Sequence, residues 1–434
     1  MNQYGPGAGL TALPLFAVMS LFTGDLGSHP ALLWYGGKFV AALCVAASVA
    51  VVFLALVELV GRTAALVIAS AYGAGTCVWS VASQTLWQSG PNILFLALAA
   101  YCLLRIERSA WWAAGCGAAI GWAVICRPTS ALVAMAIGVY LAAVALKRWR
   151  ESAQRAAGFT PAPIQRGDKP WASFWAYVLA GLPFAVALGA YNAYYLGAPW
   201  RFGQTEAAKR LAEEQLGTAN AWAGSLFEGF YGLLVSPSRG MLVYSPILVF
   251  AVWGMVRLWR QPRLQRLRPL SVGVVLLLLV QAKWFNWHGG WSFGYRLMVD
   301  ATPLLALCAA AIAVTVWQRK VLLGVFGVAL AWSLAVQVIG AYAYDVVGWN
   351  CRQALRVQRP DGGPARLVFD PRLAAHLASQ EKATVEKVTL DVDRRANHRR
   401  LWSIRDSQLL YYVGHFTQSR RIKQQLISAA LKPP

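Results

Sequence analysis

Charge is what this sequence has least of. Asp, Glu, Lys and Arg together make up only 13% of its 434 residues, whereas a soluble domain carries about 25%. Acidic residues are the scarcer half, 18 against 40 Lys and Arg. There are five histidines, and no carboxylate pair on the outer face supports a metal site; no cofactor is evident, and divalent-metal dependence stays open. Of seven cysteines, Cys44, Cys77, Cys102, Cys116, Cys126 and Cys308 fall inside or at the edge of apolar runs, and only Cys351 sits in polar surroundings. A disulfide framework needs paired cysteines outside a membrane, so these are small core residues instead.

What is present is apolar: 58% hydrophobic residues and a mean hydropathy of +0.46. Runs long enough to cross a hydrocarbon core, roughly 20 residues each, recur from Trp34 to Ala343. Candidate spans lie near 34–60, 63–82, 91–105, 109–126, 128–146, 171–195, 241–258, 269–284, 302–317 and 321–343. The expected fold is an all-α polytopic membrane protein with about 10 transmembrane helices (9–11) and a polar C-terminal tail. Three regions follow: an outer-face or interfacial segment 1–33, a transmembrane domain 34–344, and a basic tail or small domain 345–434.

The net charge of +22 raises nucleic-acid binding, and its distribution argues against it. Alternating the spans puts sixteen cations in short loops on one face: Arg62, Arg105, Arg108, six from Lys147 to Lys169, five from Arg257 to Arg268, Arg319 and Lys320. Eight sit toward the other face: Lys38, Arg127, Arg201, Lys209, Arg210, Arg239, Lys283 and Arg296. That asymmetry is the positive-inside bias. The cation-rich loops are then cytoplasmic, in a plasma (inner) membrane. The loops around 83–90, 196–240 and 285–300 are periplasmic or extracellular, and the tail is placed with them because long segments translocate largely regardless of charge. The apolar stretch Gly9–Phe22 is short, contains Pro14 and lacks an upstream cation; an interfacial helix on the outer face is preferred to a signal peptide.

Twenty tryptophans and sixteen tyrosines suit an aromatic belt at the headgroup level. Trp34, Trp111, Trp112, Trp171, Trp253 and Trp259, near span ends, fit that structural role. No internal repeat supports an inverted-repeat transporter.

Three outer segments carry candidate chemistry. The first is Ser83 to Pro91, which includes Trp87, followed across one hairpin by Arg127-Pro128-Thr129; an arginine between two apolar runs is costly and faces the protein interior, in function or in a structural pair. The second is Ser236-Pro237-Ser238-Arg239-Gly240 leading to Tyr244-Ser245-Pro246, where hydroxyls and a guanidinium suit phosphate, or else form a capped turn. The third runs from Trp284 to Arg296 and contains Trp287, His288, Gly289, Gly290 and Trp291; aromatic faces suit sugars or isoprenoids, and Arg296 and His288 suit phosphate. Asp300 is four residues from Arg296 and is expected to pair with it.

The order of Tyr4-Gly5-Pro6-Gly7, Leu86-Trp87-Gln88, Arg127-Pro128-Thr129, Gly232 to Pro246 and Gly289-Gly290-Trp291-Ser292 to Arg296 resembles the GT-C superfamily of polytopic glycosyltransferases, nearest to protein mannosyltransferases and aminoarabinose transferases. Leu401-Trp402 with Asp406-Ser407-Gln408 resembles the end of such proteins more weakly. The resemblance implies transfer of a sugar from a polyprenyl-phosphate carrier, on the outer face, to a lipid, glycan or protein acceptor. It implies Arg127, Arg239 and Arg296, with His288, Ser236 and Ser238, at the carrier phosphate, and Trp287, Trp291, Tyr244 and Trp87 along the sugar or lipid. In that family an acidic residue of the first outer loop serves as general base. This chain opens inside the matching loop and is expected to lack that residue and the first helix, through a misplaced start, a truncation or loss of transferase activity. Glu228, Asp300 and Asp25 are weak candidates for the base, and the other outer carboxylates include Asp345. Two alternatives stay open: a non-catalytic or truncated relative acting as a complex partner, and a lipid-linked sugar carrier or flippase. Proline at span ends rather than in paired mid-span positions weighs against the carrier.

Overall fold

The computed structural model describes residues 4–156, 169–360 and 365–431. Arg166, one of the six cations between Lys147 and Lys169, lies outside them. The chain is largely helical. Its first half comprises α1 (Gly7–Thr23), α2 (Pro30–Val60), α3 (Arg62–Ala74), α4 (Ser89–Leu104), α5 (Ala110–Cys126), α6 (Ala131–Ala156) and α7 (Ala172–Leu196). The second half of the bundle adds α8 (Gly203–Leu216), α9 (Leu226–Val235), α10 (Met241–Tyr244), α11 (Leu248–Leu258), α12 (Arg268–Lys283), α13 (Thr302–Cys308), α14 (Ala313–Gln318) and α15 (Lys320–Ala343). Five stretches are long and apolar enough to cross a membrane: Pro30–Val60, Pro128–Gln154, Ala172–Leu196, Pro262–Lys283 and Lys320–Ala343. Shorter apolar helices include α4, α5 and α11. The chain is an all-α polytopic membrane protein.

Breaks between helices fall where the backbone demands them. Gly61, at φ +81°, separates α2 from α3 in a conformation that suits glycine. Arg127 precedes a proline and is extended (φ −146°, ψ 109°), because the proline ring disfavours helical geometry at the residue before it. That bend ends α5 and sets the Arg127 side chain at the helix mouth. One mid-span proline does exist: Pro183 lies inside α7.

Packing follows small residues. α5 packs against α4 and α7, and α2 against α3 and α4. A Cβ placed on Gly117 of α5 would overlap the carbonyl oxygen of Tyr177 on α7, the close approach that glycine allows between membrane helices. Toward lipid, α7 and α15 leave apolar side chains such as Leu179, Val186, Val321 and Val328 exposed. α1 rests along α2, α4 and α5, burying Ala12 against Val40 and Cys44.

The cations of the short loops gather at one end. Arg105 pairs with Glu58, and Arg266 and Arg148 both reach Glu107. At the opposite end the tail folds as a small mixed unit of strands and helices. Strands β1 (Cys351–Gln358), β2 (Arg366–Val368) and β3 (Thr384–Asp391) form an antiparallel sheet in the order β2-β1-β3, with Leu355 opposite Val368 and Cys351 opposite Asp391. α16 (Pro371–Glu381) covers one face through Ala374, Val357 and Val368. α17 (Arg399–Trp402), α18 (Gln408–Gly414) and α19 (Phe416–Ala430) then return the chain to the bundle, where α18 and α19 pack on α15.

Candidate functional site

Two cavities, each of ≈ 360 Å³, open at the end of the bundle that carries the tail. The first is mostly apolar and is bordered by Leu132, Leu188, Tyr191, Trp284 and Leu297, with Gln88 and Arg127 at its polar end. The second is ringed by Trp34, Trp87, Trp291, Phe293 and Tyr344, and receives Arg296, Lys423 and Asp345. Tyr4 lines the first cavity, and its ring stands edge-on to Trp87 of the second, 6.2 Å between centroids. The Arg296 guanidinium lies 3.7 Å over the Trp87 ring. A third cation is close by: Lys38 Nζ is 5.3 Å from the Trp34 ring centre.

Arg127 is buried and reaches Asp300 Oδ2 at 2.5 Å and Ser89 Oγ at 3.4 Å. Asp300 therefore pairs with Arg127, 173 positions away in sequence, and the expected pairing with Arg296 four residues earlier is corrected. The local chain is a 3-10 turn over Arg296–Ala301, which does not have the α-helical i,i+4 geometry such a pair needs. The Asp300 carboxylate is thus engaged with a cation, a poor state for a general base.

The Ser236–Gly240 loop has another role than phosphate capture. Arg239 is fully buried, and four of its five N–H donors are used: Nε on His288 O (3.0 Å), Nη1 on Ser238 O (3.0 Å), and Nη2 on Gly290 O (3.1 Å) and Asn350 Oδ1 (3.1 Å). Gly289 and Gly290, at φ +78° and +66°, supply the tight turn beside those two carbonyls. Ser236 Oγ donates to Leu401 O (2.6 Å), and Ser238 Oγ donates to Arg400 O (3.4 Å). The loop is the platform on which the tail docks, and the Leu401–Gln408 motif is its partner. Gln408 extends the joint: Tyr244 O–H donates to its Oε1 (3.2 Å), and its Nε2 donates to Ser292 O (2.9 Å).

Tyr244 and Trp287 are likewise buried, Tyr244 against Phe293 and Trp287 against Gly232, so neither lines the cavities as expected of sugar-contacting rings. Of the four aromatic candidates, Trp87 and Trp291 do. His288 is buried with its ring 4.9 Å from that of His398. Burial, then the neighbouring His398 and Arg239, push its pKa well below the usual histidine value, so it is neutral at pH 7 and a poor phosphate ligand. Glu228 is exposed and accepts from Trp287 Nε1 at 3.4 Å. Asp25 is exposed too, and caps its own turn by accepting from Gly27 N.

Lys423 carried no motif signal, Tyr4 entered only through the Tyr4–Gly7 motif of the resemblance and with no site role, and Asp345 was one outer carboxylate among several. Lys423 is half-buried and donates to Ala341 O at 2.6 Å. Burial, with the charge of Lys38, lowers its pKa from 10.5 to about 8, so it is mostly protonated at neutral pH and able to hold an anion. Among the described residues no group of three or more His, Cys, Asp or Glu is arranged to hold a metal ion.

Residues 35–159 match the family model described as dolichyl-phosphate-mannose-protein mannosyltransferase. No curated protein matches the chain. The matched stretch holds α2 to α6, with Trp87, Arg127 and the Gln88 end of the apolar cavity. The sequence resemblance and this match point the same way over residues 35–159: that part of this polytopic membrane protein is similar to glycosyltransferases of the mannosyltransferase, GT-C type.

Proposed function

We propose that this protein moves a sugar from a polyprenyl-phosphate carrier to a lipid, glycan or protein acceptor at the tail-bearing, outer end of the bundle. The observation that carries the reading is the pairing of an apolar cavity with an aromatic, cationic one of equal size on either side of Tyr4, Trp87 and Arg296. An isoprenoid chain needs an apolar channel, and a phosphodiester needs fixed cations. Arg296 and Lys423 would hold the phosphate, Trp87 and Trp291 would face the sugar, and the apolar cavity beside Arg127 would take the first isoprene units. Attack by the acceptor oxygen on the anomeric carbon would invert it, with the carrier phosphate as leaving group. Its gain of negative charge is stabilised most by cations already in position. The outer end is assigned as periplasmic or extracellular in a plasma (inner) membrane because the short-loop cations cluster at the other end.

The test is Arg296→Ala in protein reconstituted with radiolabelled polyprenyl-phospho-mannose. Loss of one fixed cation at the leaving phosphate is expected to lower the release of label by about 100-fold or more. Wild-type release in the variant would remove Arg296 from the site and the support for this reading with it.

A further inference from the structure

One cation cluster of the tail belongs to neither cavity. From Arg394 to Arg405 the chain carries five arginines and no acidic residue. Arg400 is buried and bonds Leu390 O and Trp349 O inside the tail. The other four, Arg394, Arg395, Arg399 and Arg405, are exposed, and none of them forms an ion pair among the described residues. The acids that border the segment are engaged elsewhere. Asp391 accepts from Trp291 Nε1 at 3.0 Å, Asp393 is half-buried against Asn286, and Asp406 pairs with Arg352 and Arg400. Solvation alone would account for exposed arginines, but two large apolar side chains stand among them: Trp402 is 40% exposed and Ile404 71%. Arg399 and Trp402, three apart in α17, share a face of that turn.

The surface beside this segment is apolar and continuous with the lipid-facing bundle. α9 buries Gly229, Gly232 and Leu233 and exposes Phe227, Tyr231 and Val235, a single stripe at i, i+4 and i+8. It seats on the outer end of the membrane span that contains α12, where a Cβ on Gly229 would overlap Ala282 O. One turn back, α12 leaves Leu279 and Val275 exposed. At its other end α9 stops at Ser236, whose Oγ donates to Leu401 O at 2.6 Å. The Trp402 ring lies 5.8 Å from that of Trp287, which itself packs on Gly232. Exposed apolar groups thus run from a span, along α9, to Trp402 and Ile404, and the four arginines flank those two in the chain.

We propose that the segment Arg394 to Arg405, with the exposed stripe of α9, is a membrane-anchoring surface that binds anionic phospholipid. Apolar side chains among unpaired arginines suit the headgroup region, where Trp402 and Ile404 enter the acyl boundary and the guanidiniums meet lipid phosphates. Arginine serves here better than lysine, because its planar fork matches a phosphate with two parallel N–H donors. The stripe decides the occupant. It continues a face that already lies in lipid, so the surface it reaches is the bilayer that the protein spans rather than a soluble partner. The tail is then held twice, by its bonds to the outer loops and by the lipid beside them. This anchoring is separate from the transfer chemistry and does not depend on it.

The experiment attaches an environment-sensitive fluorophore at Ile404→Cys in the full chain, reconstituted in nanodiscs, with the chain lacking that substitution as the blank. The readout is quenching by a lipid that carries a spin label in its headgroup region, in discs of phosphatidylcholine with and without phosphatidylglycerol. Quenching is expected to be at least about twofold stronger with phosphatidylglycerol, and to fall back in about 0.5 M salt, where charges are screened beyond about 4 Å. Reversing Arg394, Arg395, Arg399 and Arg405 together to Glu should abolish the difference between the two lipids. Should that variant fail to fold, the salt series on the unaltered arginines decides the same point. Quenching that is equal in the two discs or absent from both overturns the proposal, as does a difference that persists in salt. A response to soluble polyphosphate without one to phosphatidylglycerol also overturns it, and would make the patch a site for a soluble polyanion.

Discussion

At the scale of single residues, the buried pair Arg127–Asp300 separates structure from chemistry. Arg127 was legible in the sequence because an arginine between two apolar runs must find a partner, but the partner was not, since it lies on a distant segment brought close only by folding. Arg239 shows the converse. Its serine-rich loop has the composition of a phosphate site, yet its donors face carbonyls from the Gly289–Gly290 turn. Composition alone does not tell a ligand oxygen from a backbone one. Removing one member of the Arg127–Asp300 pair strands the other without a counter-charge, at a cost of about 3–5 kcal/mol. Asp300→Asn should therefore lower the melting temperature of the detergent-solubilised protein clearly. The double change Arg127→Met with Asp300→Leu should be less destabilising than Asp300→Asn alone, because it removes both charges. Equal melting temperatures for Asp300→Asn and wild type would show that the pair does not stabilise the bundle.

At the scale of elements, the helices were the most legible part. Each candidate span corresponds to a helix or an interrupted pair of helices, since a long apolar run in a bilayer has few backbone solutions other than a helix. Where the expectation was one continuous span over 302–317, the chain forms α13 and α14 with a 3-10 turn, Ala309–Ala311, between them. Apolar composition does not record such a break. Helix contacts were less legible, because they depend on which small residues face a neighbour. Gly117 on α5 is the clearest such contact: any Cβ would meet the Tyr177 carbonyl of α7, a backbone atom that cannot rotate away. Gly117→Ala should push α5 and α7 apart and destabilise the protein by about 1–3 kcal/mol. Gly327→Ala on α15 is the control, since a Cβ there meets nothing within 4 Å. The pair of melting curves decides the matter: equal shifts would mean that the α5–α7 approach is not a tight one.

At the scale of the whole molecule, the question is how a basic tail and a membrane bundle share one site. Lys423 and Asp345 belong to segments that the sequence left apart, one in α19 and one just after α15. The tail brings them together because Arg400 anchors its fold, bonding Asp406, Leu390 O and Trp349 O, while Ser236, Ser238 and Gln408 join that fold to the outer loops. This docking fixes the side on which the tail must lie: the end opposite the pairs formed by Arg105 and Arg266. If the cation-rich loops are cytoplasmic, the tail is outside despite its own positive charge. Cysteine accessibility tests this arrangement in intact cells. Cys351 is an unsuitable reporter, because burial, with Asp391 and Asp393 nearby, raises its pKa to about 11 and keeps the thiolate scarce. Ser379→Cys on the exposed face of α16 and Lys147→Cys near the end of α6 are better placed. A membrane-impermeant maleimide should label Ser379→Cys in intact cells and Lys147→Cys only after permeabilisation. The reverse pattern would put both cavities on the cytoplasmic side, and a lipid-linked donor would then have to be presented from that leaflet.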